Sequence, residues 1–432
     1  MENSPSYFHE FVQAAKGDLI VQPRMGFCAF SKMREGLSRV KNIEAATIGT
    51  ITLDSFTRTG DFASAAKAIK NNSALNGYPI VSHGKARNQE LIDGLIGTDF
   101  PIQVRHGCSK PEHIFKAIVE TGIDASEGGP ISYCFPYGKV PLKESIRSWQ
   151  TCSEIFAAVE HKKYHLESFG GCMMGQLCPP SMLIAITVVE ALFFKRFGIR
   201  SYSVSLTQGS NILQDIAALT ALRLVGEKYL GPREDWHVVY YTFMGKFPET
   251  MNGARAIMRD SVVVAKAGQA RRLIVKTVME AHQIPTIDDN IEALELAHQD
   301  FHDPSTSLSQ EIKPGMVEAI FEEADFLIDL LLNLDSKIEI AIDVAFKKGY
   351  WDVPFCLHPN NNNSALAKLN NEGFILWANA GKIPFPNHII RNNFSKEKKL
   401  SSSELLMMLS FNQFKYDTFN QAETPVLQHV SC

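Results

Sequence analysis

The sequence predicts an α/β protein: an eight-stranded parallel (β/α)8 TIM barrel with a mostly helical and irregular C-terminal extension. Three observations carry this. Short apolar, β-branched runs alternate with segments of helical period through residues 1–285, the order that builds a parallel sheet with right-handed crossovers. Many of the helical segments end in Gly, the residue favoured just past a helix C-terminus. The rival, an open doubly wound sheet, usually carries a Gly-rich nucleotide loop, and neither GxGxxG nor GxxxxGK[ST] occurs.

Taken in order, nine runs read as strands: residues 19–23, 47–54, 78–84, 100–107, 122–129, 164–171, 201–209, 236–245 and 271–277. A barrel of eight leaves one outside. The first is expected to be that one, because it is short and little precedes it. Between the runs lie helical segments such as DFASAAKAIKNN, PEHIFKAIVETG and MLIAITVVEALFFKRFG. From residue 286 the strand signal fades into IDDNIEALELAHQDF and KPGMVEAIFEEADFLIDLLLNL, then an irregular part with an Asn run at 360–363 that must be loop. The division expected is a barrel with a short lead-in over 1–285, a packed extension over 286–392, and a linker and tail over 393–432. In the tail, LLMMLSFNQF is either a docked helix or a mobile end.

The 432 residues are 45% hydrophobic and carry a net charge of −4, enough for a large core and without the basic excess that nucleic acid or an anionic membrane would ask for. No apolar run reaches membrane-spanning length, and MENSPSYFHEFVQ lacks the features of a secretory leader. The eight cysteines are scattered without a CxxC pair, the pattern of reduced thiols in a cytoplasmic protein.

The stretch Phe100–Tyr137 concentrates the chemistry. It reads as strand, helix, strand, with Arg105 and His106 at the end of one strand, Glu127 at the end of the next, and Tyr133 and Tyr137 in the loop that follows. Arg24 and Arg58 stand in corresponding places after earlier strands. Each arginine taken singly is an ordinary surface residue. Three at one mouth would repel one another unless an anion, most simply a dicarboxylate, lay between them. Glu127 is either the partner of a neighbouring arginine or an acceptor for a substrate ammonium or general base. Lys276 closes the last strand four residues before Glu280. It fits a surface ion pair, a contact to a polyol such as ribose, or a Schiff-base amine. His161 with His165, and His298 with His302, have helical i,i+4 spacing but no HExxH, and no metal is expected.

The motifs QPRMGF, TRTGD, NGYPIVSHG, PIQVRHG, EGGPISY-x3-Y, SIRSWQ, ESFGG, NILQDIAAL, YTFMG and HQIPT, with DVPF and IPF near the end, occur in one order from about Val21 to Phe385. In them the chain resembles the large (epsilon, or E) subunit of adenosylcobalamin-dependent glutamate mutase, also called methylaspartate mutase. The resemblance implies that Arg24, Arg58 and Arg105 clasp the substrate carboxylates, with His106 beside them. It puts Glu127 on the ammonium and Tyr133 and Tyr137 around the substrate, with Glu127 and Arg105 as the catalytic pair. The adenosylcobalamin side would be lined by Gly26, Ser82, Pro136, Phe247, Lys276, Glu280 and Ile284.

The implied reaction is a radical carbon-skeleton isomerisation of L-glutamate to 3-methylaspartate. The D-x-H-x-x-G cobalamin motif is missing. Asp235-Trp236-His237 and Asp300-Phe301-His302 approach it, but Tyr240 and Ser305 stand at the Gly position. A small cobalamin-binding subunit is therefore an expected partner, in a heterotetramer in which this chain pairs with itself. Other readings are a paralogous mutase for a related acidic amino acid, a barrel lyase or aldolase using Lys276, and a non-catalytic scaffold of mutase type.

Overall fold

The computed structural model describes residues 5–15, 17–71, 73, 75–136, 138–170, 177–232, 235–308, 311–389 and 400–419. Eight parallel strands form its centre: β1 (Ile20–Pro23), β2 (Gly49–Thr52), β3 (Ile102–Arg105), β4 (Ala125–Glu127), β5 (His165–Glu167), β6 (Ser201–Thr207), β7 (Trp236–Tyr241) and β8 (Arg272–Val275). Each neighbour pairs in parallel, and β1 lies beside β8. Between β1 and β2 the ring closes through Val21 N to Ala46 O (3.0 Å) and Thr52 N to Met25 O (2.8 Å). Almost every strand residue is buried, as expected where helices cover the outside and side chains fill the inside.

The first run, residues 19–23, is therefore inside the barrel, contrary to expectation, and the run left out is 78–84. Of this run only Tyr78 forms a bridge, a single one to Leu53 just past the end of β2. From Ile80 to Ile92 the chain is helical on both sides of a break at Gly84, whose φ is +74°. The Tyr78 hydroxyl donates to Asn88 Oδ1 (2.9 Å), and Asn88 in turn donates to the Ile80 carbonyl (2.7 Å). These bonds fold the apolar YPIV against its own helix, and the run has no strand alternation to resist that.

Register sets the rim. Thr52 pairs with Arg105, Glu127 with Glu167 and Pro23 with Val275. The segments that follow, carrying Arg24, Arg58, His106 and Lys276, leave from the same carboxyl edge.

The inside of the barrel is polar. Arg272 donates to Gln22 Oε1 (2.6 Å) and to His237 Nε2 (2.9 Å), and forms a close ion pair with Glu167. Gln22 donates on to Gln103 Oε1 (2.7 Å) and Thr50 Oγ1 (2.9 Å), and His165 sits between Ser201 and Ser203. Every one of these groups has a partner, the condition under which a buried polar cluster is tolerated. The amino end is stoppered by helix α1 (Tyr7–Ala14): fully buried Phe8 stacks on His165 with ring centroids 4.3 Å apart, and the Arg272 guanidinium lies 5.0 Å from the Phe8 ring.

Beyond the barrel, helices Ile287–His302, Pro314–Leu332 and Ile338–Lys348 precede an antiparallel hairpin, Leu366–Leu369 with Ile375–Asn379. Gln214 holds the hairpin through both bonds to the Ile375 backbone (2.8 Å each). LLMMLSFNQF belongs to a docked helix, Ser402–Phe419. Its Asp417 accepts from the amides of Glu249 and Thr250 (2.9 Å each), and its Tyr416 donates to Asp260 (2.6 Å).

Candidate functional site

Arg105 and Glu127, neighbours on β3 and β4, form an ion pair (Nη2 to Oε2, 2.9 Å) with both side chains at most 5% exposed. Glu127 also accepts from the Tyr241 hydroxyl (3.1 Å, to Oε2) and from the Tyr133 hydroxyl (to Oε1). A carboxylate has about four acceptor positions. Arg105 and Tyr241 lie on Oε2 and Tyr133 on Oε1, which leaves an acceptor position open on the Oε1 side. Burial pushes the Glu127 carboxyl above its ordinary range, against the pull of the Arg105 guanidinium. Arg105 Nη1 is buried without a hydrogen-bond partner, as are the Thr52 and Thr277 hydroxyls. A guanidinium with one arm tied and one buried arm open is arranged to receive an anion.

His106 is buried and neutral. Burial, then the positive charge of Arg58 and Arg105, lowers it to about 3. Its Nδ1 accepts from the Cys108 amide (3.0 Å), its ring stacks on Trp149 (5.8 Å), and its Nε2 has no partner.

Tyr133 reaches Glu127 because two glycines precede it. Gly128 has φ +118°, and a Cβ there would stand 2.4 Å from the Tyr133 ring. At Gly129 a Cβ would lie 2.1 Å from the Glu190 carboxyl carbon. Glu190 is fully buried and receives the amides of Ile131 and Ser132 (2.8 Å each) and the Ser168 hydroxyl (2.7 Å). It anchors the turn that carries Tyr133 and ends in half-buried Pro136. Tyr137 lies outside the described residues.

On the other side of the mouth, Lys276 Nζ is 3.1 Å from Glu280 and 4.9 Å from the centre of the Phe247 ring, and Arg24 approaches Glu280 at 3.8 Å. Ile284 is 60% exposed nearby in sequence, past the short 3-10 turn Val278–Ala281. Gly26 is pressed onto the end of β2, where a Cβ would be 2.2 Å from the Thr52 carbonyl oxygen, so no larger residue fits. Arg58 is carried on a short helix, Ser55–Thr59, capped by Asp54, and its Nε donates to the Leu53 carbonyl (2.8 Å). It lines a cleft of about 560 Å³ with Thr57, Gly107, Ser109, Lys110 and His113. Ser82 bonds to the Phe62 carbonyl (3.2 Å) in the first turn of its helix.

The structure thus joins Arg105, Glu127 and Tyr133 directly, joins Arg24 to Lys276 and Glu280, and sets Arg58 close enough to His106 to act on its charge. Tyr241, Glu167 and Glu190 were not anticipated. Glu167 sits at the end of a strand in ESFGG and is the register partner of Glu127, which was a usable signal. The near-cobalamin histidines are elsewhere: His237 is bonded to Arg272 inside the barrel, and His302 pairs with Asp18 (3.2 Å). Among the described residues no helix is long and apolar enough to cross a membrane.

Compared with known proteins, residues 4–405 match the family model described as Methylaspartate mutase E chain (MutE). The chain is 30% identical over 400 residues to the glutamate mutase epsilon subunit of Desulfitobacterium hafniense, covering 89% of this chain and 81% of that one. It is 31% identical over 395 residues to the glutamate mutase epsilon subunit of Escherichia coli O157:H7, covering 87% and 80%. With the protein of that name from Haloarcula marismortui it shares 28% over 404 residues, covering 88% and 82%.

Proposed function

The chain belongs to the methylaspartate mutase E chain family, and from that premise we propose how it works as the catalytic subunit of a glutamate mutase, an isomerase interconverting L-glutamate and 3-methylaspartate. The observation that carries the reading is the buried Arg105–Glu127 pair with one open donor and one open acceptor. An acidic amino acid offers a carboxylate to Arg105 Nη1 and an ammonium to Glu127 Oε1. Arg24 and Arg58 take the remaining carboxylate charge, and His106 Nε2 completes the wall.

Glu127, raised by burial yet tied to Arg105, can accept or release the ammonium proton without leaving its place. Tyr133 and Tyr241 hold that carboxylate in one orientation. The rigid walls keep the reacting fragments together and water out.

The residues also fit adenosylcobalamin. Lys276 and Glu280 present a donor and an acceptor to ribose hydroxyls, the Thr277 hydroxyl is buried without a partner, and Gly26, Phe247, Pro136 and Ile284 give small or apolar surface. Ser82 stands farther back, on a helix outside the barrel. When bound, that cofactor supplies the 5′-deoxyadenosyl radical that takes a hydrogen atom from the substrate. The histidines of the two near-cobalamin motifs are not offered at the mouth as cobalt ligands, since His237 is tied to Arg272 inside the barrel and His302 is paired with Asp18. A small cobalamin-binding subunit completes the site, and the name epsilon subunit carried by the relatives agrees with a multi-subunit enzyme. The six described cysteines are unpaired, which suits the reducing cytoplasm.

A Schiff-base role for Lys276 is disfavoured. An ammonium held by a carboxylate over an aromatic face is a poor amine nucleophile. The test mixes this chain with a cobalamin-binding subunit and adenosylcobalamin and follows glutamate to methylaspartate. Turnover with a glutamate-dependent radical signal is expected. The absence of both with a competent partner, or borohydride trapping of substrate on Lys276, would overturn the reading.

A further inference from the structure

We propose that Asp18, His298 and His302 bind a divalent transition-metal ion of the zinc type, at the end of the barrel opposite the arginine-rich mouth. Asp18 precedes β1, and helix Ile287–His302 starts at the mouth after β8 and runs back to the amino end, so its last turns reach the level of Asp18. The i,i+4 spacing puts both imidazoles on one face, with ring centroids 4.5 Å apart. One ligand atom from each of the three residues lies within 4.8 Å of the others.

Ligands about 2.0–2.1 Å from a tetrahedral zinc stand ~3.4 Å from one another. His302 Nε2 and Asp18 Oδ1, 3.2 Å apart, already span such an edge. His298 brings a third ligand atom within 4.8 Å of both. A plain ion pair between Asp18 and His302 accounts for two of the three residues. It leaves His298 Nδ1, which is buried and has no hydrogen-bond partner.

The surroundings favour a cation. The trio sits at a helix C-terminus, the negative end of its dipole. The Leu19 amide donates to Asp18 Oδ1 (2.8 Å) and orients the carboxylate, as outer partners of metal ligands do. The nearby Lys266 ammonium is engaged by the carbonyls of Phe301 (2.8 Å) and Asp303 (3.4 Å). Two imidazoles and one carboxylate suit zinc and leave one position for water. The bound ion would tie the chain entering β1, and with it helix α1, to the helix that follows β8.

The experiment uses the full chain stripped with a chelator and titrated with Zn²⁺ by calorimetry, with thermal unfolding measured alongside. One equivalent should bind and raise Tm. His298→Ala and Asp18→Asn should each weaken binding by at least about tenfold and remove the rise in Tm. Mutase turnover with the partner subunit should stay near the parent value, because none of the three residues lines the mouth. Should Asp18→Asn unfold, His298→Ala decides alone, since it keeps the Asp18–His302 contact. No stoichiometric Zn²⁺ binding by the parent chain, or undiminished binding by His298→Ala, would refute the site.

Discussion

The Tyr241 hydroxyl lies 3.1 Å from Glu127 Oε2 although two strands, β5 and β6, separate theirs in the sheet. The contact crosses the inside of the barrel, and the same hydroxyl also meets Glu167, so its single proton is shared between the two carboxylates. Tyr241 is thus the link between the Arg105–Glu127 pair at the mouth and the Arg272–Glu167 pair below it.

Tyr241→Phe removes a donor that stabilises the ionised form of Glu127, so the carboxyl rises further. If an ionised Glu127 receives the ammonium, the acid limb of kcat/KM should move up by about one pH unit, the size of one hydrogen bond to a charged group. An acid limb coincident with the parent's would mean that Tyr241 does not tune Glu127.

Arg105→Lys keeps the charge but loses the fork. One ammonium cannot hold Glu127 and also present a second donor to a substrate carboxylate. kcat/KM should fall by about 100-fold or more, corresponding to roughly 3 kcal/mol. Steady-state assay with the partner subunit measures it, and a loss under threefold would contradict the clasp.

Glu190 and Gly129 should be coupled. Glu190→Ala strands two buried amides and should cost ~2–4 kcal/mol in urea unfolding, with Glu190→Gln milder because its amide oxygen still accepts. Gly129→Ala meets the Glu190 carboxyl in the parent but has room once that side chain is gone. A double-mutant cycle should therefore show the Gly129→Ala penalty shrinking in the Glu190→Ala background.

His106 makes stability depend on acid. The folded chain holds it near 3 and the unfolded chain near 6.5. Below about 6.5 the unfolded chain takes up a proton that the folded one refuses, so this contribution is complete above that pH and is lost as pH falls toward 3. His165 and His237, buried and also lowered, act in the same sense. Urea midpoints between about pH 7 and pH 4 should decline less steeply for His106→Gln than for the parent.

Much of this is legible in the sequence. Strand and helix alternate strongly enough to give the barrel, and arginines after strands mark the mouth. The misplacement of 19–23 and 78–84 has a local cause. Both runs are short and apolar, and the second is folded onto its own helix by the Tyr78–Asn88–Ile80 bonds. The polar interior is written in the strands as alternate residues, Gln103 with Arg105 and His165 with Glu167, but over strands of three or four residues a period of two is too short to mark an inward face. Glu190 was hidden for a different reason. It lies in a strongly apolar helix, and nothing local says that its carboxylate meets a loop 58 residues earlier in the chain.

Phe8 closes the amino end of the barrel against His165 and Arg272. A vessel stoppered at one end has a single doorway. Whatever covers the mouth during turnover then decides alone how long a reactive species survives, and a leak introduced at the floor, for instance by Phe8→Ala, should appear as inactivation during catalysis before it appears as a slower first turnover.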